Sequence, residues 1–499
     1  MKNEGIEMRR NGMLLPIASL PSPYGIGGFS KEAYEFIDLL EETGQKLWQI
    51  LPLGPTSYGD SPYQSFSTFA GNPYFIDLDT LAEKGWLTKE ACEASDYGDN
   101  ESYIDYGRIY NSRFVLLKQA FLNSDILSDE KFTEFCKANQ HWLPDYALYM
   151  ALKNQNDGKS WIEWEEEIRL RKPEAVEYYK KELEEECNFY EFLQYEFHEQ
   201  WTKVKEYAHE KGIQIVGDVP IYVAFDSADT WANPELFQLD EKNLPLGVAG
   251  CPPDAFSATG QLWGNPLYNW AYHKKTGYDW WLKRIAYCFD LYDIVRIDHF
   301  RGFDEYYSIP YGDETAVNGH WEKGPGMDLF NTVKEKLGEL DIIAEDLGFL
   351  TESVFQLLKD SGYPGMKVLQ FAFDPSEDSD YLTYKYQRNC VVYTGTHDND
   401  TTAGWFEKLS DGDKEVALRY MNSFYTPKEE QHWDLIALAM RSTADTCIIP
   451  VQDFLGLGSE ARINMPSTLG DNWKWRMTKG AFSEELKEKI RRMTKLYGR

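Results

Sequence analysis

Hydrophobic residues recur along the chain in eight short runs, and each run ends in polar or turn-forming residues. The runs cover 14–18, 47–51, 213–218, 293–298, 342–346, 367–371, 391–396 and 447–451. Nearly continuous apolar runs of this length are typical of parallel strands that are covered on both faces. Helical spacing between the runs makes strand and helix alternate, which predicts an α/β protein with a (β/α)8 TIM barrel.

The helix that follows the glycine-rich turn at 25–28 has the clearest boundaries. Residues 31–43 place apolar side chains at helical spacing, with Ser30 as the N-cap and Gly44 at the end. The same spacing predicts helices at 279–289 and 351–360.

A doubly wound parallel sheet is the alternative architecture. It depends on Gly25–Gly28, which partly matches a dinucleotide-binding loop between a strand and a helix. The third glycine of that motif is missing, and no acidic residue ends the next strand at Leu51–Gly54. The barrel is therefore the preferred prediction.

Two intervals are too long to be single connections between strands. Residues 54–212 begin with a turn-rich loop and end in a charged amphipathic helical stretch at about 172–211, which Gly212 ends; residues 224–292 contain a second loop rich in Pro, Gly and aromatic residues. Both intervals leave the C-terminal ends of strands, where barrel enzymes build their active sites. We expect one catalytic barrel over 1–499, with mainly helical and loop insertions after strands two and three. The second insertion is expected to carry an active-site loop, and no C-terminal β-sandwich is expected.

Composition narrows the classes of ligand. Aromatic residues make up 15% of the 499 residues, which suits a large core and a cleft that stacks against rings. The formal net charge of −31 repels phosphate backbones and anionic lipids. No nucleic-acid or membrane partner is therefore expected. The charge does not affect the binding of neutral ligands such as sugars.

Cysteine and histidine spacing gives no sign of a metal or redox centre. The seven cysteines contain no Cys-x-x-Cys pair, and the eight histidines show no metal-ligand spacing. We therefore expect no metal and no cofactor. The N-terminal segment is a poor signal peptide, because Glu4 and Glu7 interrupt its basic part and Pro16 its apolar part. A cytoplasmic location is the resulting prediction.

Carboxylates stand at the ends of three predicted strands. Asp298 ends the fourth strand two residues after Arg296, on the same face, and an arginine there favours the ionised carboxylate and lowers its pKa. Glu345 ends the fifth strand beside another acid, so it is expected to keep its proton longer and to act as a general acid. Asp398 follows His397 at the end of the seventh strand.

Each of these residues also has a structural explanation. Acids after parallel strands often cap the next helix, Arg296 with Asp298 can be a buried ion pair, and a single histidine such as His397 is more often part of a core. Three carboxylates at the tips of strands four, five and seven of one barrel favour catalysis over these explanations.

The same segments resemble the signature regions of the α-amylase clan of glycosidases. More closely, the chain resembles the 4-α-glucanotransferases of glycoside hydrolase family 77, over nearly its whole length. The resemblance is carried by the three carboxylate motifs and by the segments at 22–27, 58–64, 217–223, 252–254, 262–268 and 462–464. It differs from ordinary α-amylases because Val219–Tyr222 follows Asp218, where the amylase motif ends in Asn-His.

The resemblance implies roles for individual residues. It makes Asp298 the nucleophile, Glu345 the acid/base and Asp398 the group that stabilises the transition state. It also implies a set of substrate-binding residues: Tyr58, Ser61, Asp218, Asp254, Trp263, Arg296, His299, His397 and Asn464. The loop at 252–257 departs from many relatives, because Ala255 stands where they carry a second aromatic residue.

The expected reaction is retaining transfer of α-1,4-glucan segments from a maltodextrin donor to the 4-hydroxyl of another glucan or of glucose, through a covalent glycosyl-enzyme. Two carboxyl groups about 5–5.5 Å apart produce such an intermediate, which either water or a sugar hydroxyl can resolve. An α-1,4-glucan hydrolase therefore remains one alternative, and a non-catalytic glucan-binding protein is another.

Overall fold

The computed structural model describes residues 9–57, 59–253, 257–348, 350–374, 378–468 and 470–499. Its strands are β1 (Arg10–Leu14), β2 (Leu47–Gln49), β3 (Gln214–Pro220), β4 (Gly247–Cys251), β5 (Gln261–Pro266), β6 (Ile294–Asp298), β7 (Glu305–Pro310), β8 (His320–Lys323), β9 (Ile342–Ala344), β10 (Gly365–Val368), β11 (Cys390–Tyr393) and β12 (Thr446–Pro450).

The helices before β4 are α1 (Lys31–Glu42), α2 (Leu78–Glu83), α3 (Lys89–Ala94), α4 (Tyr106–Asn123), α5 (Glu130–Ala138), α6 (Leu143–Gln155), α7 (Glu166–Arg169), α8 (Pro173–Glu182), α9 (Glu184–Glu210) and α10 (Ala228–Ala232). Those after it are α11 (Trp270–Lys275), α12 (Asp279–Leu291), α13 (Met327–Leu337), α14 (Glu352–Ser361), α15 (Thr402–Lys408), α16 (Asp411–Met421), α17 (Gln431–Arg441), α18 (Val451–Phe454) and α19 (Glu484–Leu496). No described helix is both long and apolar enough to cross a membrane.

Eight parallel strands form a barrel in the order β10-β11-β12-β1-β2-β3-β6-β9. The remaining gap lies between β9 and β10. It is bridged by one backbone hydrogen bond, in which the Ala344 N–H donates to the Pro364 carbonyl at 2.9 Å. The predicted (β/α)8 barrel is confirmed, and this strand order excludes the doubly wound sheet.

Every barrel strand sends apolar side chains to the barrel axis, where they form one buried cluster. Its members are Leu14, Leu47, Val216, Ile294, Ile343, Met366, Val391, Tyr393 and Ile448. Side chains alternate between the two faces of a strand, so residues two and four positions beyond these also face inward. This alternation decides which residues at the strand ends reach the barrel mouth.

The first strand lies earlier than the sequence predicted. The apolar run suggested residues 14–18, but β1 spans Arg10–Leu14 and a short 3-10 helix occupies Ile17–Ser19. Polar residues hid the true start, because Asn11 is fully buried and donates to Gln45 Oε1 at 2.7 Å.

The predicted helices are present, with one division. The helices expected at 31–43, 279–289 and 351–360 correspond to α1, α12 and α14. The charged stretch at 172–211 is two helices, α8 and α9, separated at Leu183. Gly212 follows α9 with a left-handed φ of 71°.

The intervals between barrel strands hold additional structure. Helices α2–α9 lie between β2 and β3, and α10–α12 lie between β3 and β6. The sequence did not predict a four-stranded antiparallel sheet of order β5-β4-β7-β8, which joins the interval after β3 to the interval after β6. All four strands are short, and β4 and β5 contain glycines, so their pattern resembles that of a loop.

The glycine-rich turn after β1 has a packing explanation. The Gly27 N–H donates to the Ala18 carbonyl at 2.9 Å. A Cβ atom on Gly27 would lie 1.8 Å from the Ile17 carbonyl oxygen, so no other residue fits there. Close backbone approach, and not phosphate binding, explains this glycine.

Candidate active site

The predicted catalytic residues lie where barrel strands end at the mouth of the barrel. Ile294 belongs to the interior cluster, so Arg296 and Asp298 further along β6 face the same side. A 3.0 Å ion pair between Arg296 Nη2 and Asp298 Oδ1 agrees with this placement. By the same alternation, Ile343 in β9 places Glu345 toward the axis.

A buried arginine holds two carboxylates beside each other. The Arg296 side chain is 3% exposed and that of Asp218 is 0% exposed. Arg296 Nη1 donates to both Asp218 carboxylate oxygens at 2.8 and 2.7 Å, and Nη2 contacts Asp298. Asp218 on β3 is therefore a counterion of Arg296, which is how buried charges are compensated.

The protonation of Asp298 differs from the sequence prediction. Burial raises the pKa of Asp298 to about 6, while the Arg296 charge opposes the increase. The prediction of a lowered pKa was wrong, because the loss of water around the carboxyl outweighs the contribution of Arg296. The side chain keeps 29% exposure, so it is accessible from the barrel mouth.

Backbone amides orient the Glu345 carboxyl. Its Oε1 accepts from the Leu347 N–H and its Oε2 from the His299 N–H, both at 2.7 Å. The second donor directly follows Asp298, so the two carboxyl groups are neighbours. Burial, followed by the negative charge of Asp298, raises the pKa of Glu345 to about 7. Glu345 therefore holds its proton to higher pH than Asp298, as expected for a general acid.

His299 makes a sharp turn just after β6. Its φ of 53° is left-handed, a conformation uncommon for residues other than glycine. The turn directs its N–H to Glu345 and places its ring 4.8 Å from that of Trp263, edge to face. Burial, followed by the charge of Arg301, lowers the pKa of His299 to about 3, so the ring is neutral near pH 7.

Asp398 is held from the opposite side of the barrel mouth. Its Oδ1 accepts from Asn464 Nδ2 at 2.6 Å, and its Oδ2 lies 3.4 Å from His397 Nε2. The Asn464 N–H also donates to the His397 carbonyl at 3.1 Å. The Asp398 side chain is 44% exposed, so it can reach the hydroxyl groups of a ligand.

Tyr63, in the segment 58–64, connects the two halves of the site, and the sequence predicted no role for it. Its hydroxyl lies 2.8 Å from Asp218 Oδ2 and 2.9 Å from His397 Nε2, and its ring stacks on His397 at 5.2 Å. A carboxylate only accepts, so the single hydroxyl proton goes to Asp218 and His397 Nε2 must carry a proton. An aromatic residue in the turn-rich loop after β2 was the available signal.

The remaining predicted ligand contacts stay predictions. Trp263 on β5 is half-buried beside His299, and Ser61 Oγ accepts from the Tyr63 N–H at 3.3 Å. Tyr58 and Asp254 lie outside the described residues. No group of three His, Cys, Asp or Glu side chains in the described part of the chain is arranged to hold a metal ion.

The site therefore combines two adjacent carboxyl groups of unequal proton affinity with a third carboxylate across the opening. The C-terminal face of a barrel, carrying one ionised and one protonated acid, is the arrangement of a glycosidase-type enzyme.

Comparison of the sequence and the structure with known proteins identifies the family of this chain. The family model of the 4-alpha-glucanotransferases, glycoside hydrolase family 77, matches residues 15–482. The chain is 54% identical over 485 residues to the 4-alpha-glucanotransferase of Clostridium butyricum, covering 97% of this chain and 99% of the relative. It is 46% identical to that of Thermus thermophilus, covering 97% and 98%. The amylomaltase of Streptococcus agalactiae, solved in complex with acarbose, matches with a TM-score of 0.95 and 43% identity, covering 98% and 99%.

The chain belongs to glycoside hydrolase family 77, the 4-alpha-glucanotransferases. Members of this family transfer segments of α-1,4-glucan chains. Of the three functions that the sequence left open, transfer is the one that these relatives support, and the resemblance in the sequence is confirmed.

Proposed function

We propose that Asp298, Glu345 and Asp398 carry out retaining glucan transfer, with Asp298 as nucleophile and Glu345 as acid/base. The observation that carries this proposal is the Glu345 carboxyl bound to the backbone N–H that follows Asp298. This contact makes the two carboxyl groups neighbours on adjacent strands, as the retaining mechanism requires.

In the first half-reaction, an Asp298 carboxylate oxygen attacks C1 of the donor sugar. The bond between C1 and the glycosidic oxygen breaks, and that oxygen takes the proton of Glu345. In the second half-reaction, the acceptor 4-hydroxyl gives its proton to the Glu345 carboxylate and attacks C1. The ester bond breaks, and Asp298 is released as a carboxylate.

The difference in proton affinity supports this assignment. Arg296 contacts Asp298 directly and favours its ionised form, which a nucleophile needs. Glu345 faces the charge of Asp298, which favours the protonated form that a general acid needs. Asp398, held by Asn464, is proposed to bind sugar hydroxyl groups of the transition state.

We also propose that maltooligosaccharides serve as donors and that glucose serves as an acceptor, in the cytoplasm. Maltotriose should be converted to glucose and longer maltodextrins while the number of reducing ends stays nearly constant. Labelled glucose should enter the products. A steep rise in reducing ends without longer products would contradict transfer to sugar.

The roles of the two carboxyls are tested with α-maltosyl fluoride, whose leaving group needs no proton. Glu345→Gln should still react, and because its base is missing, a glycosyl adduct should accumulate on Asp298. Asp298→Asn should form no adduct with either donor. Intact mass and peptide mapping locate the adduct; an adduct on Glu345, or one formed equally by Asp298→Asn, would show that the roles are reversed.

A further inference from the structure

Trp473 packs against two side chains of the active site and has no role assigned above. Its ring centroid is 5.8 Å from that of Tyr63 and 6.0 Å from that of His397. The Tyr63 and His397 rings are themselves stacked at 5.2 Å, so the three rings contact one another. Trp473 therefore contacts both of the side chains that join Asp218 to the Asp398 side of the site.

The backbone at Trp473 is in an unusual conformation. Its φ of 66° is left-handed, which is rare for a bulky residue and persists only where surrounding contacts hold it. The Trp473 N–H donates to the Ile463 carbonyl at 2.7 Å, and its carbonyl accepts from the Tyr106 hydroxyl at 2.8 Å. Both backbone hydrogen-bonding groups are therefore used.

The adjoining chain is fixed to two other parts of the molecule. The Ile104 N–H donates to the Lys474 carbonyl at 2.8 Å, which pairs this segment with the chain just before α4. Ser19 Oγ donates to the Trp475 carbonyl at 2.7 Å, which attaches it to the turn after β1. These contacts explain how the backbone of Trp473 is held in the left-handed conformation.

The hydrogen bond to Ile463 has a second consequence. This hydrogen bond joins the chain on either side of the loop that begins with Asn464. Asn464 Nδ2 in turn donates to Asp398 Oδ1 at 2.6 Å. Trp473 thus supports the site in two ways, through its ring against Tyr63 and His397 and through its backbone at the loop that orients Asp398.

We propose that Trp473 is a positioning residue for transfer: its ring holds Tyr63 and His397 in the stacked arrangement that connects Asp218 to the Asp398 side of the site. This inference rests on the proposed role of the site. The proposal requires no contact between Trp473 and the sugar, because the Trp473 ring acts through Tyr63 and His397.

Trp473→Ala removes the ring and keeps the backbone groups. We expect it to lower kcat/KM for maltotriose roughly 10- to 100-fold, because small displacements in an active site are costly. Trp473→Phe keeps a ring and should recover most of this loss. Trp86→Ala is the matched control, since Trp86 is also a half-buried tryptophan but packs on Phe192 in the interval between β2 and β3. It should affect unfolding without changing kcat/KM.

A double-variant cycle separates positioning from general stability. In a Tyr63→Ala background, Trp473→Ala should lower kcat/KM by less than about threefold, because the stack of Tyr63 on His397 that the Trp473 ring holds no longer exists. Trp86→Ala should leave kcat/KM unchanged in both backgrounds.

Full multiplication of the Tyr63 and Trp473 effects, or a Trp473→Ala defect confined to thermal unfolding, would overturn the proposal. Failure of the fluoride experiment would instead overturn the assigned roles of Asp298 and Glu345. The two failures are distinguishable because the cycle measures coupling between side chains and needs no covalent adduct.

Discussion

The strand ends and the segments that surround them build the active site in different ways. Arg296, Asp298 and Glu345 sit at the ends of β6 and β9, where parallel backbone pairing fixes their positions. Tyr63 and Trp473 come from loops far apart in the chain, and only contacts between those loops bring them together. The carboxyl groups proposed to take part in bond making, Asp298 and Glu345, are therefore at the ends of barrel strands. The residues that surround them depend on packing between distant loops.

The two regions also differ in how they handle charge. At the strand ends, the Arg296–Asp218 pair is almost fully buried, and unpaired charge there is energetically costly. In the surrounding segments, the Lys153–Asp226 pair is more open, since the Asp226 side chain is 32% exposed. Charge changes at the strand ends should therefore alter both stability and reaction, and those outside should alter stability alone.

The largest expected effect comes from Asp218→Ala. It leaves the buried Arg296 with one counterion, so the free energy of unfolding should fall by about 3–5 kcal/mol, and transfer per folded molecule should fall more than about 100-fold. Asp226→Ala is the control and should lower stability while keeping the rate per folded molecule. Chemical denaturation and initial rates measure the two quantities, and an unchanged rate in Asp218→Ala would show that this network is not needed for transfer.

A smaller effect is expected from Trp263→Ala. Loss of an aromatic contact of roughly 0.5–1.5 kcal/mol corresponds to an increase in KM of about 2- to 12-fold. Trp231→Ala is the comparison, because Trp231 on α10 is 1% exposed. That variant should lose about 3–5 kcal/mol of stability with little change in KM. If Trp263→Ala loses stability without a kinetic defect, Trp263 is a core residue.

The smallest effect is the pH dependence of kcat/KM. With the proposed roles, activity requires Asp298 ionised and Glu345 protonated, so it should fall below about pH 6 and above about pH 7. One pH unit from the maximum, kcat/KM should be roughly two- to threefold lower. With α-maltosyl fluoride, formation of the adduct by Glu345→Gln should lose the decrease at high pH and keep the decrease at low pH. A decrease at high pH that persists in this variant would assign that limb to another group.

Much of the architecture was predictable because it depends on local patterns. Apolar runs located eight strands, and their period of two placed Arg296 and Asp298 on one face. The start of β1 was missed because buried Asn11 interrupts its apolar pattern. The antiparallel sheet of β4, β5, β7 and β8 was missed because its pairing joins segments on both sides of β6.

By itself, the sequence determined the barrel, the family and the three carboxylates at the strand ends, since strand periodicity and short motifs are local properties of the chain. Tertiary structure alone decided that burial raises the pKa of Asp298 against the effect of Arg296, because desolvation depends on everything packed around the carboxyl. It also decided the contact of Tyr63 with His397 and Trp473, since Tyr63 is more than 300 positions from either residue and meets them only when the chain folds.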